Sequence, residues 1–460
     1  MNVVNEKYLE SSIRMLEFIE KSPTCFHVVA NLAERFESAG FDELREEENW
    51  KIEAGGRYFV RRNGSSIIAF SVPHEDFENF QIMATHGDSP AFKVKENPEL
   101  PVSDQYVLLN VEKYGGMLCA PWFDRPLSVA GRITARTENG FEVRLVNVDC
   151  DLLMIPSLAI HLDRSANSSH EYNVQNEMLP VLGSQAVNGE FWQIIADYAG
   201  VAKEDILASD LFVYNNMKGS VWGAFCEYVS SARLDDLQCV FATCEGFVRS
   251  CLNPENKNSK SVAMTCVFDN EEVGSSTKQG ADSTFLADVM ERICMACKSN
   301  PAEEFKKAVA SSFMISADNA HAFHPNFSYK YDPVNRPRIN GGIVIKFNGN
   351  QKYTSDAVSA AVVKELCSRC NVPFQIYTNR SDIPGGSTLG NISSAHVSLD
   401  TVDIGLAQLA MHSPYETAGS DDTQFLIEFS REFFETHITK SAGTKDKGSA
   451  KDGACCRYIF

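Results

Sequence analysis

Two adjacent carboxylates, Glu271 and Glu272, have the type and the spacing to do chemistry. They follow an apolar, β-prone stretch at 262–268, and a glycine comes two positions after them. Neighbouring side chains of an extended chain point to opposite faces. One carboxylate can therefore bind a metal ion while the other stays free as a base. Taken alone, such a pair is more often a solvated feature at the end of a strand.

Other segments carry the residue types that would complete a metal centre. Two metal ions about 3.5–4 Å apart need ligands on each side and at least one carboxylate between them. Asp88 follows His86 by two positions, so in extended backbone it shares the face of His86 and can accept the second imidazole proton. A lone His-x-Asp is more often a loop hydrogen bond, so only the combination of segments indicates a metal site. The segments are His86-Gly87-Asp88-Ser89-Pro90, Arg233-Leu234-Asp235-Asp236, Ser316-Ala317-Asp318-Asn319-Ala320-His321 and Met411-His412-Ser413.

The elements that must position these residues alternate between helices and strands in two parts of the chain. Apolar positions recur at helical spacing from 8 to 41, and short strands are expected from there to residue 85. From 91 to 230 strands dominate, separated by Gly and Asn turns. The alternation resumes at 235, and the motifs lie on both sides of the strand-rich block. We therefore expect an α/β domain that is interrupted by an inserted β-rich domain.

The expected domain boundaries follow from this change of pattern. The first part of the α/β domain, which would carry catalysis, spans 1–91, and its second part spans 232–438. The inserted domain spans 92–231. Residues 439–460 are rich in Lys, Gly and Ser without apolar periodicity, so we expect a flexible tail there.

Composition excludes several classes of function. The 460 residues carry a net charge of −19, which argues against a nucleic-acid partner because phosphates require a basic surface. The N-terminus lacks the basic and apolar regions of a signal peptide, and no apolar stretch is long enough to cross a bilayer. These features and the 14 cysteines predict a cytoplasmic protein with reduced thiols. The Cys-x-x-Cys pairs at 294–297 and 367–370 fall in helical segments, which favours buried thiols over a structural zinc site.

The five motifs together resemble those of the aspartyl aminopeptidase family, peptidase family M18, and they occur in the family's order. The resemblance runs from the first helix to about Phe434. It implies a zinc-peptidase fold, with a three-layer α/β catalytic domain and an inserted β-rich, butterfly-like domain that serves for dimerisation and as a lid. It also implies a homo-oligomer, a tetrahedral dodecamer built from dimers, whose catalytic sites face an internal cavity that admits short peptides.

The resemblance implies a ligand set for two zinc ions. His86 and Asp318 would be terminal ligands of one ion, Glu272 and His412 would bind the other, and Asp235 would bridge both. Co²⁺ and Mn²⁺ also suit such mixed carboxylate and imidazole ligands.

Two acidic residues would act without binding metal. Glu271 would be the general base, and Asp88 would brace the loop of His86. Family members also share a cis peptide bond after the bridging aspartate, here Asp235–Asp236. This chain has Asp236 where Asn is common and Gly87 where Thr or Ser is common, and neither change removes a ligand.

Substrate contacts rest mainly on the resemblance. It implies that His321 lies near the scissile carbonyl, that Tyr353 contacts substrate and that Lys346 meets an acidic side chain. From the residues alone, Lys346 is more often on an exposed strand face. His161 lies in an apolar run and by itself is more often a core histidine, whereas the resemblance places it at the active site of a neighbouring subunit.

The sequence therefore predicts a dinuclear zinc aminopeptidase that hydrolyses the N-terminal residue, preferably Asp or Glu, from peptides with a free N-terminus. Alternatives of the same fold are an aminopeptidase of neutral or basic specificity and a di-zinc carboxypeptidase or N-acyl amino acid deacylase. A non-catalytic shell protein is the alternative from another class. It would require a lost ligand or base, and every ligand and base position is filled in this chain.

Overall fold

The computed structural model describes residues 6–256, 258–442 and 456–460. Strand β4 is buried along its whole length, as expected for a strand in the middle of a sheet that is covered on both faces. Its last residue is His86. The first elements are α1 (Glu6–Glu20), α2 (Cys25–Ser38), β1 (Asp42–Leu44), β2 (Arg57–Arg62), β3 (Ser66–Ser71) and β4 (Asn79–His86).

The next block forms a six-stranded sheet in which every strand pairing is antiparallel. The strand order is β8-β7-β10-β5-β6-β9, and the sheet has its own core around Trp122 and Phe191. All of its strands lie within 91–215, in the block that the sequence analysis expected to be β-rich. The elements are β5 (Ala91–Val102), β6 (Tyr106–Tyr114), β7 (Leu127–Thr137), β8 (Gly140–Asn147), α3 (Val174–Glu177), β9 (Val181–Ser184), α4 (Phe191–Ala199) and β10 (Ile206–Asn215).

Helices and strands then alternate again up to residue 435. Helix α5 begins within the Arg233-Leu234-Asp235-Asp236 motif, and its first turn contains a kink at Asp235 and Asp236. The elements are β11 (Ser220–Trp222), β12 (Tyr228–Ser231), α5 (Leu234–Leu252), β13 (Ser261–Phe268), α6 (Phe285–Cys297), α7 (Pro301–Ser311), β14 (Phe313–Ala317), β15 (Ala320–His321), β16 (Ile343–Phe347), α8 (Ala357–Arg369), β17 (Phe374–Thr378), α9 (Leu389–Ser393), β18 (Asp400–Gly405), β19 (Ala407–Leu409), β20 (Glu416–Gly419) and α10 (Asp422–Glu435).

A nine-stranded mixed sheet with helices on both faces forms the centre of the molecule. Its order is β1-β2-β3-β13-β4-β14-β18-β16-β17. One buried cluster includes Phe247 of α5 and Phe433 of α10, and a second includes Phe285 and Ile293 of α6. The arrangement of helices, sheet and helices confirms the expected three-layer α/β fold.

Parallel pairing in this sheet brings three motifs to one edge. Strand β4 pairs in parallel with β13 and with β14, so His86 lies opposite Phe268, and Ala84 lies opposite Ser316. The residues that follow β13 and β14 therefore emerge beside His86. This is the edge at which open α/β sheets place their sites.

A five-stranded sheet, in the order β11-β12-β20-β19-β15, lies next to this edge and carries the last motif. Strands β19 and β20 pair antiparallel, and the loop that joins them contains His412. The sheet thus brings a histidine from late in the chain to the ends of strands from its beginning and middle.

The end of the chain contains a further strand pair. Strand β21 (Thr439–Ala442) pairs antiparallel with β22 (Cys456–Ile459), within the segment that the sequence predicted as a flexible tail. Residues 443–455 of that segment lie outside the described residues. In the described part of the chain, none of the helices is long and apolar enough to cross a membrane. Cys294 and Cys367 are buried in α6 and α8, as the periodicity predicted, whereas Cys297 and Cys370 are partly exposed.

Candidate metal centre and active site

All five predicted metal ligands come together at the edge of the nine-stranded sheet. His86 ends β4, and Asp318 follows β14 directly. Glu272 lies in a single 3₁₀ turn after β13, Asp235 in the first turn of α5, and His412 in the loop between β19 and β20. Residues separated by more than three hundred positions in the chain therefore share one site.

Asp235 lies between the two histidines. Its Oδ1 is 3.4 Å from His86 Nε2, and its Oδ2 is 3.7 Å from His412 Nε2. Asp318 Oδ1 is 3.9 Å from His86 Nε2, and Glu272 Oε2 is 3.4 Å from His412 Nε2. The residues therefore form two groups that share Asp235, and within each group the candidate ligand atoms lie within 4.8 Å of one another. The first group also includes Asp236.

Carboxylate oxygens without a hydrogen-bond partner indicate whether the site fits metal ions. Asp235 Oδ1, Asp236 Oδ1 and Glu272 Oε1 are buried and have no hydrogen-bond partner among the described residues. Burial and the neighbouring Asp235 raise the pKa of Glu272 well above its usual range. Buried acidic groups of this kind require a compensating charge. Carboxylate oxygens and imidazole nitrogens are zinc ligands, so the residues present fit the metal.

Each histidine is oriented by a main-chain carbonyl on the side away from the centre. His86 Nδ1 lies 3.1 Å from the carbonyl oxygen of Asp88, and His412 Nδ1 lies 2.7 Å from that of Gly116. A proton on Nδ1 satisfies these contacts and leaves Nε2 free as a metal ligand. Both Nε2 atoms face Asp235.

Glu271 lies beside the two groups of candidate ligands. Its carboxylate is within 4.8 Å of ligand atoms of His86 and Glu272. Burial, and then the nearby carboxylates, raise the pKa of Glu271 to about 8, and cations bound at the site would oppose this rise. Its main-chain N–H donates to Asp88 Oδ1 at 3.1 Å, so the backbone of Glu271 is fixed while its side chain faces the site.

Comparison with known proteins identifies the family. The profile described as Aminopeptidase I zinc metalloprotease (M18) matches residues 18–434. The chain belongs to the M18 family. A probable M18 family aminopeptidase 2 of Clostridium novyi (strain NT) is 46% identical over 432 residues, which cover 91% of this chain and 97% of the relative.

Solved structures of M18 proteins have the same fold. The cryo-EM structure of the Ape4 and Nbr1 complex matches with a TM-score of 0.90 at 36% identity, covering 95% of this chain and 88% of that chain. The structure of the S. cerevesiae mApe1 dodecamer matches with a TM-score of 0.83 at 26% identity, covering 93% of this chain and 97% of that chain. The expected family and its activity are thus confirmed: the chain is a zinc metalloaminopeptidase.

The M18 aminopeptidase has a cavity of about 160 Å³ beside the candidate metal ligands, and the predicted substrate residues His321, Lys346 and Tyr353 line it. The ring of His321 lies 6.0 Å from that of Tyr377, which also lines the cavity. Burial and the charge of Lys346 lower the pKa of His321, although its imidazole still contacts solvent within the cleft.

Lys346 is buried, so the interpretation as an exposed-face lysine is wrong. Strand β16 lies between β18 and β17, and both faces of the sheet are covered by helices. Lys346 Nζ donates to the carbonyl oxygen of Asp318 at 2.7 Å and lies 3.4 Å from Asp318 Oδ2. Burial opposes the charge of Lys346, but the carboxylate of Asp318 outweighs it, and the pKa of the lysine is raised.

His161 is exposed, so the interpretation as a core histidine is also wrong. It lies in a turn between β8 and α3, where Leu158 and Leu162 are exposed as well. The apolar run that suggested a core position is therefore a surface segment. Among the residues that the structure describes, His161 does not line the cavity next to the candidate metal ligands of its own chain.

Glu416, which no sequence pattern indicated, connects two of the loops that carry candidate ligands. It is fully buried at the start of β20, where its Oε1 accepts from the main-chain N–H of His412 at 2.7 Å and its Oε2 from that of Asp235 at 3.0 Å. Its position four residues after His412 was the only signal in the sequence, and a glutamate there is not distinctive.

The bond Asp235–Asp236 is cis, as the resemblance implied. Asp236 is buried, and burial raises its pKa well above the usual range. Its Oδ2 lies 3.4 Å from the main-chain N–H of His86.

Proposed function

We propose that this M18 aminopeptidase binds two zinc ions and removes the N-terminal residue, preferably Asp or Glu, from short peptides. His86 and Asp318 would hold one ion, Glu272 and His412 would hold the other, and Asp235 would supply the carboxylate shared by both. The position of Asp235 carries the proposal, since its two oxygens face different histidines at 3.4 and 3.7 Å. A pair of adjacent metal ions needs one shared carboxylate of this kind.

Glu271 carries out the proton transfer. When bound, the zinc ions lower the pKa of a water molecule and polarise the peptide carbonyl. Glu271 accepts a proton from the attacking water and gives it to the departing amine, because the proposed ligand set leaves its carboxylate free within 4.8 Å of ligand atoms of His86 and Glu272. Its carboxylate and that of Asp318 also meet the ammonium group of a substrate with a free N-terminus.

Lys346 supports a preference for acidic residues. It lines the cavity with Tyr353 and His321, and its ammonium group lies 5.3 Å from the centre of the Tyr353 ring. In a chain with a net charge of −19, long-range attraction does not favour an acidic substrate, so the preference needs a local cation. A substrate carboxylate in this cavity would meet that cation.

A neutral specificity is the second candidate, and the contacts of Lys346 favour it. Its ammonium group already contacts the carbonyl oxygen and the carboxylate of Asp318. If these contacts persist with substrate bound, Lys346 positions Asp318 and does not select the substrate. The same cavity would then accept apolar N-terminal residues.

The assembly is proposed from the relatives. The S. cerevesiae mApe1 structure, which shares the fold over most of both chains, is a dodecamer. In a dodecamer built from dimers, the exposed His161 would contact substrate in the site of a neighbouring subunit. Enclosed sites would admit short peptides and exclude folded proteins.

A rate comparison tests the specificity and separates the alternatives. We expect the zinc-loaded protein to cleave Asp- and Glu-amide substrates faster than Leu- and Lys-amide substrates, and to leave the N-acetylated forms intact. Cleavage of the N-acetylated forms would instead indicate a deacylase or a carboxypeptidase. Absence of zinc-dependent cleavage of any free-amine substrate would contradict the proposal as a whole.

Two lysine variants locate the source of the preference. Lys346→Ala should lose activity on Asp and Glu substrates at least tenfold more than on Leu substrates. The control is Lys352→Ala, because Lys352 is an exposed lysine six residues along the chain. An equal loss on every substrate in Lys346→Ala would contradict the proposed role of Lys346 in selection.

A further inference from the structure

The hydroxyl of Tyr114 connects the two principal sheets at the metal centre. Tyr114 is the last residue of β6 in the six-stranded sheet. Its hydroxyl lies 2.6 Å from Asp88 Oδ2 and 2.9 Å from Asn270 Nδ2. Asp88 and Asn270 belong to the loops after β4 and β13 of the nine-stranded sheet. One side chain of the six-stranded sheet therefore contacts both loops.

The direction of these hydrogen bonds follows from the contacts of Asn270. Its Oδ1 accepts from Thr277 Oγ1 and from Gln279 Nε2, both at 2.8 Å. The amide nitrogen must therefore face Tyr114 and donate to its hydroxyl oxygen. The single hydroxyl proton of Tyr114 is then available for Asp88.

Asp88 connects the hydroxyl of Tyr114 to the backbones of Glu271 and Glu272. It is buried, its Oδ1 accepts from the main-chain N–H of Glu271, and its Oδ2 accepts from that of Glu272, both at 3.1 Å. Asp88 Oδ1 also lies 3.6 Å from His86 Nδ1. The carboxylate thus holds the backbones of the proposed base and of a proposed ligand, and Tyr114 holds the carboxylate.

The residues after Tyr114 contact the opposite side of the site. The carbonyl of Gly116 accepts from His412 Nδ1 at 2.7 Å, and the main-chain N–H of Leu118 donates to the carbonyl of His412 at 3.0 Å. Gly115 has a φ of +77°, and a Cβ there would lie 3.1 Å from Glu272 Cβ. This close approach favours glycine at position 115.

We propose that Tyr114 is a positioning residue for Glu271 and Glu272, which it aligns through Asp88 from the six-stranded sheet. The inference rests on the proposed roles of these two glutamates. Without the hydroxyl, Asp88 loses its donor from the second sheet, and the turn that carries Glu271 and Glu272 loses its contact through Asn270. Loss of a residue that orients metal ligands typically costs about 10–100-fold in activity or in metal affinity.

Tyr114→Phe tests this role with little change in packing, because the ring stacks edge-on against Phe212 at 5.5 Å and phenylalanine keeps that contact. We expect kcat to fall about tenfold with KM within about twofold, and zinc to transfer faster to a chelator. The control is Tyr214→Phe in β10 of the same sheet. It removes a hydroxyl that donates to Asn147 Oδ1 at 2.7 Å, and it should behave as the parent does.

Parent-like kcat and zinc release in Tyr114→Phe would overturn the inference, and so would an equal loss in both tyrosine variants. A double-mutant cycle with Asp88→Asn gives a second test. If Tyr114 acts through Asp88, the two losses will not add, and full additivity would contradict that route. If Tyr114→Phe does not fold, Asn270→Gly removes the amide donor at a φ of 62° that glycine adopts readily, and it should show the same losses.

Failure of the positioning role of Tyr114 can be distinguished from failure of the proposed function. If the parent lacks zinc-dependent peptidase activity, the proposed function fails whatever the variants do. The zinc-release rates of the variants still report whether Tyr114 orders the ligands. If the parent is active and Tyr114→Phe equals it in all measurements, only the positioning role of Tyr114 fails.

Discussion

Asp235 and His412 face each other at 3.7 Å, and their main-chain N–H groups both donate to the carboxylate of Glu416. One residue belongs to the first turn of α5 and the other to a loop of the five-stranded sheet. A single buried side chain thus sets the separation of a proposed bridging ligand and a proposed terminal ligand.

Glu416→Ala should lower zinc affinity about 10–100-fold, because both loops lose the acceptor that holds them. It should also lower stability, since the buried main-chain N–H of Asp235 and the partly buried main-chain N–H of His412 lose their acceptor, at a cost of up to about 1–3 kcal/mol each. Zinc binding by competition with a chelator measures the first effect, and a melting curve measures the second. Glu365→Ala, at an exposed pair with Arg369, is the control and should leave zinc affinity unchanged.

Glu271→Gln should keep both metal ions and lose about 10²–10⁴-fold in turnover, because an amide cannot accept the proton of the attacking water. Metal content per chain and kcat, measured on the same preparation, test this. Glu272→Gln is the matched control one position along the chain. It should lose metal as well as turnover, since Glu272 is a proposed ligand. Normal activity of a zinc-loaded Glu271→Gln protein would exclude Glu271 as the base.

Removal of zinc should lower the melting temperature of the protein. Asp235, Glu272 and Asp318 converge on the site, and without cations their charges repel one another or take up protons. A metal that binds only the folded state stabilises it by about 2.7 kcal/mol at a hundred times its dissociation constant. Thermal scanning with a chelator, followed by zinc or by magnesium at equal concentration, measures this directly. We expect zinc to restore the parent curve and magnesium to leave it low, and no difference between the metals would contradict the zinc site.

The stability of the protein should depend on His27 between pH 7.5 and 5. Burial, with a smaller effect of Arg233, lowers the pKa of His27 to about 4, and its Nδ1 pairs with Thr24 Oγ1 at 2.9 Å. The unfolded imidazole takes up a proton near pH 6.5, so the unfolded state binds more protons than the folded state below that value. The stability of the protein therefore decreases as the pH decreases. The loss amounts to up to about 2 kcal/mol by pH 5.

The comparison of the parent with His27→Gln isolates this contribution. The variant lacks the titrating group, so the advantage of the parent in melting temperature at pH 7.5 should shrink as the pH falls to 5. A difference that stays constant or grows over this range would show that His27 takes up its proton equally well in the folded state.

The sequence predicted the layered α/β fold and the set of residues that meet at the site. Alternating helices and strands fit an α/β domain, and strand-rich composition at 91–230 fits an inserted sheet. His86, Glu272 and Asp318 follow apolar strands, where such folds place their sites, so their convergence was predictable. The same reasoning could not place Lys346 or His161. Whether a short apolar stretch is core or surface depends on what packs against it, and that is decided by distant parts of the chain.

What the sequence by itself determined was the chemistry available: two histidines and three carboxylates as proposed metal ligands, and Glu271 as the proposed base. What only the tertiary structure decided was how these groups are held. Glu416 contacts Asp235, which lies 181 residues away along the chain. Tyr114 contacts Asn270, which lies 156 residues away. No local pattern marks them, because a hydrogen bond between distant segments depends on the packing of whole sheets and leaves no spacing in the sequence.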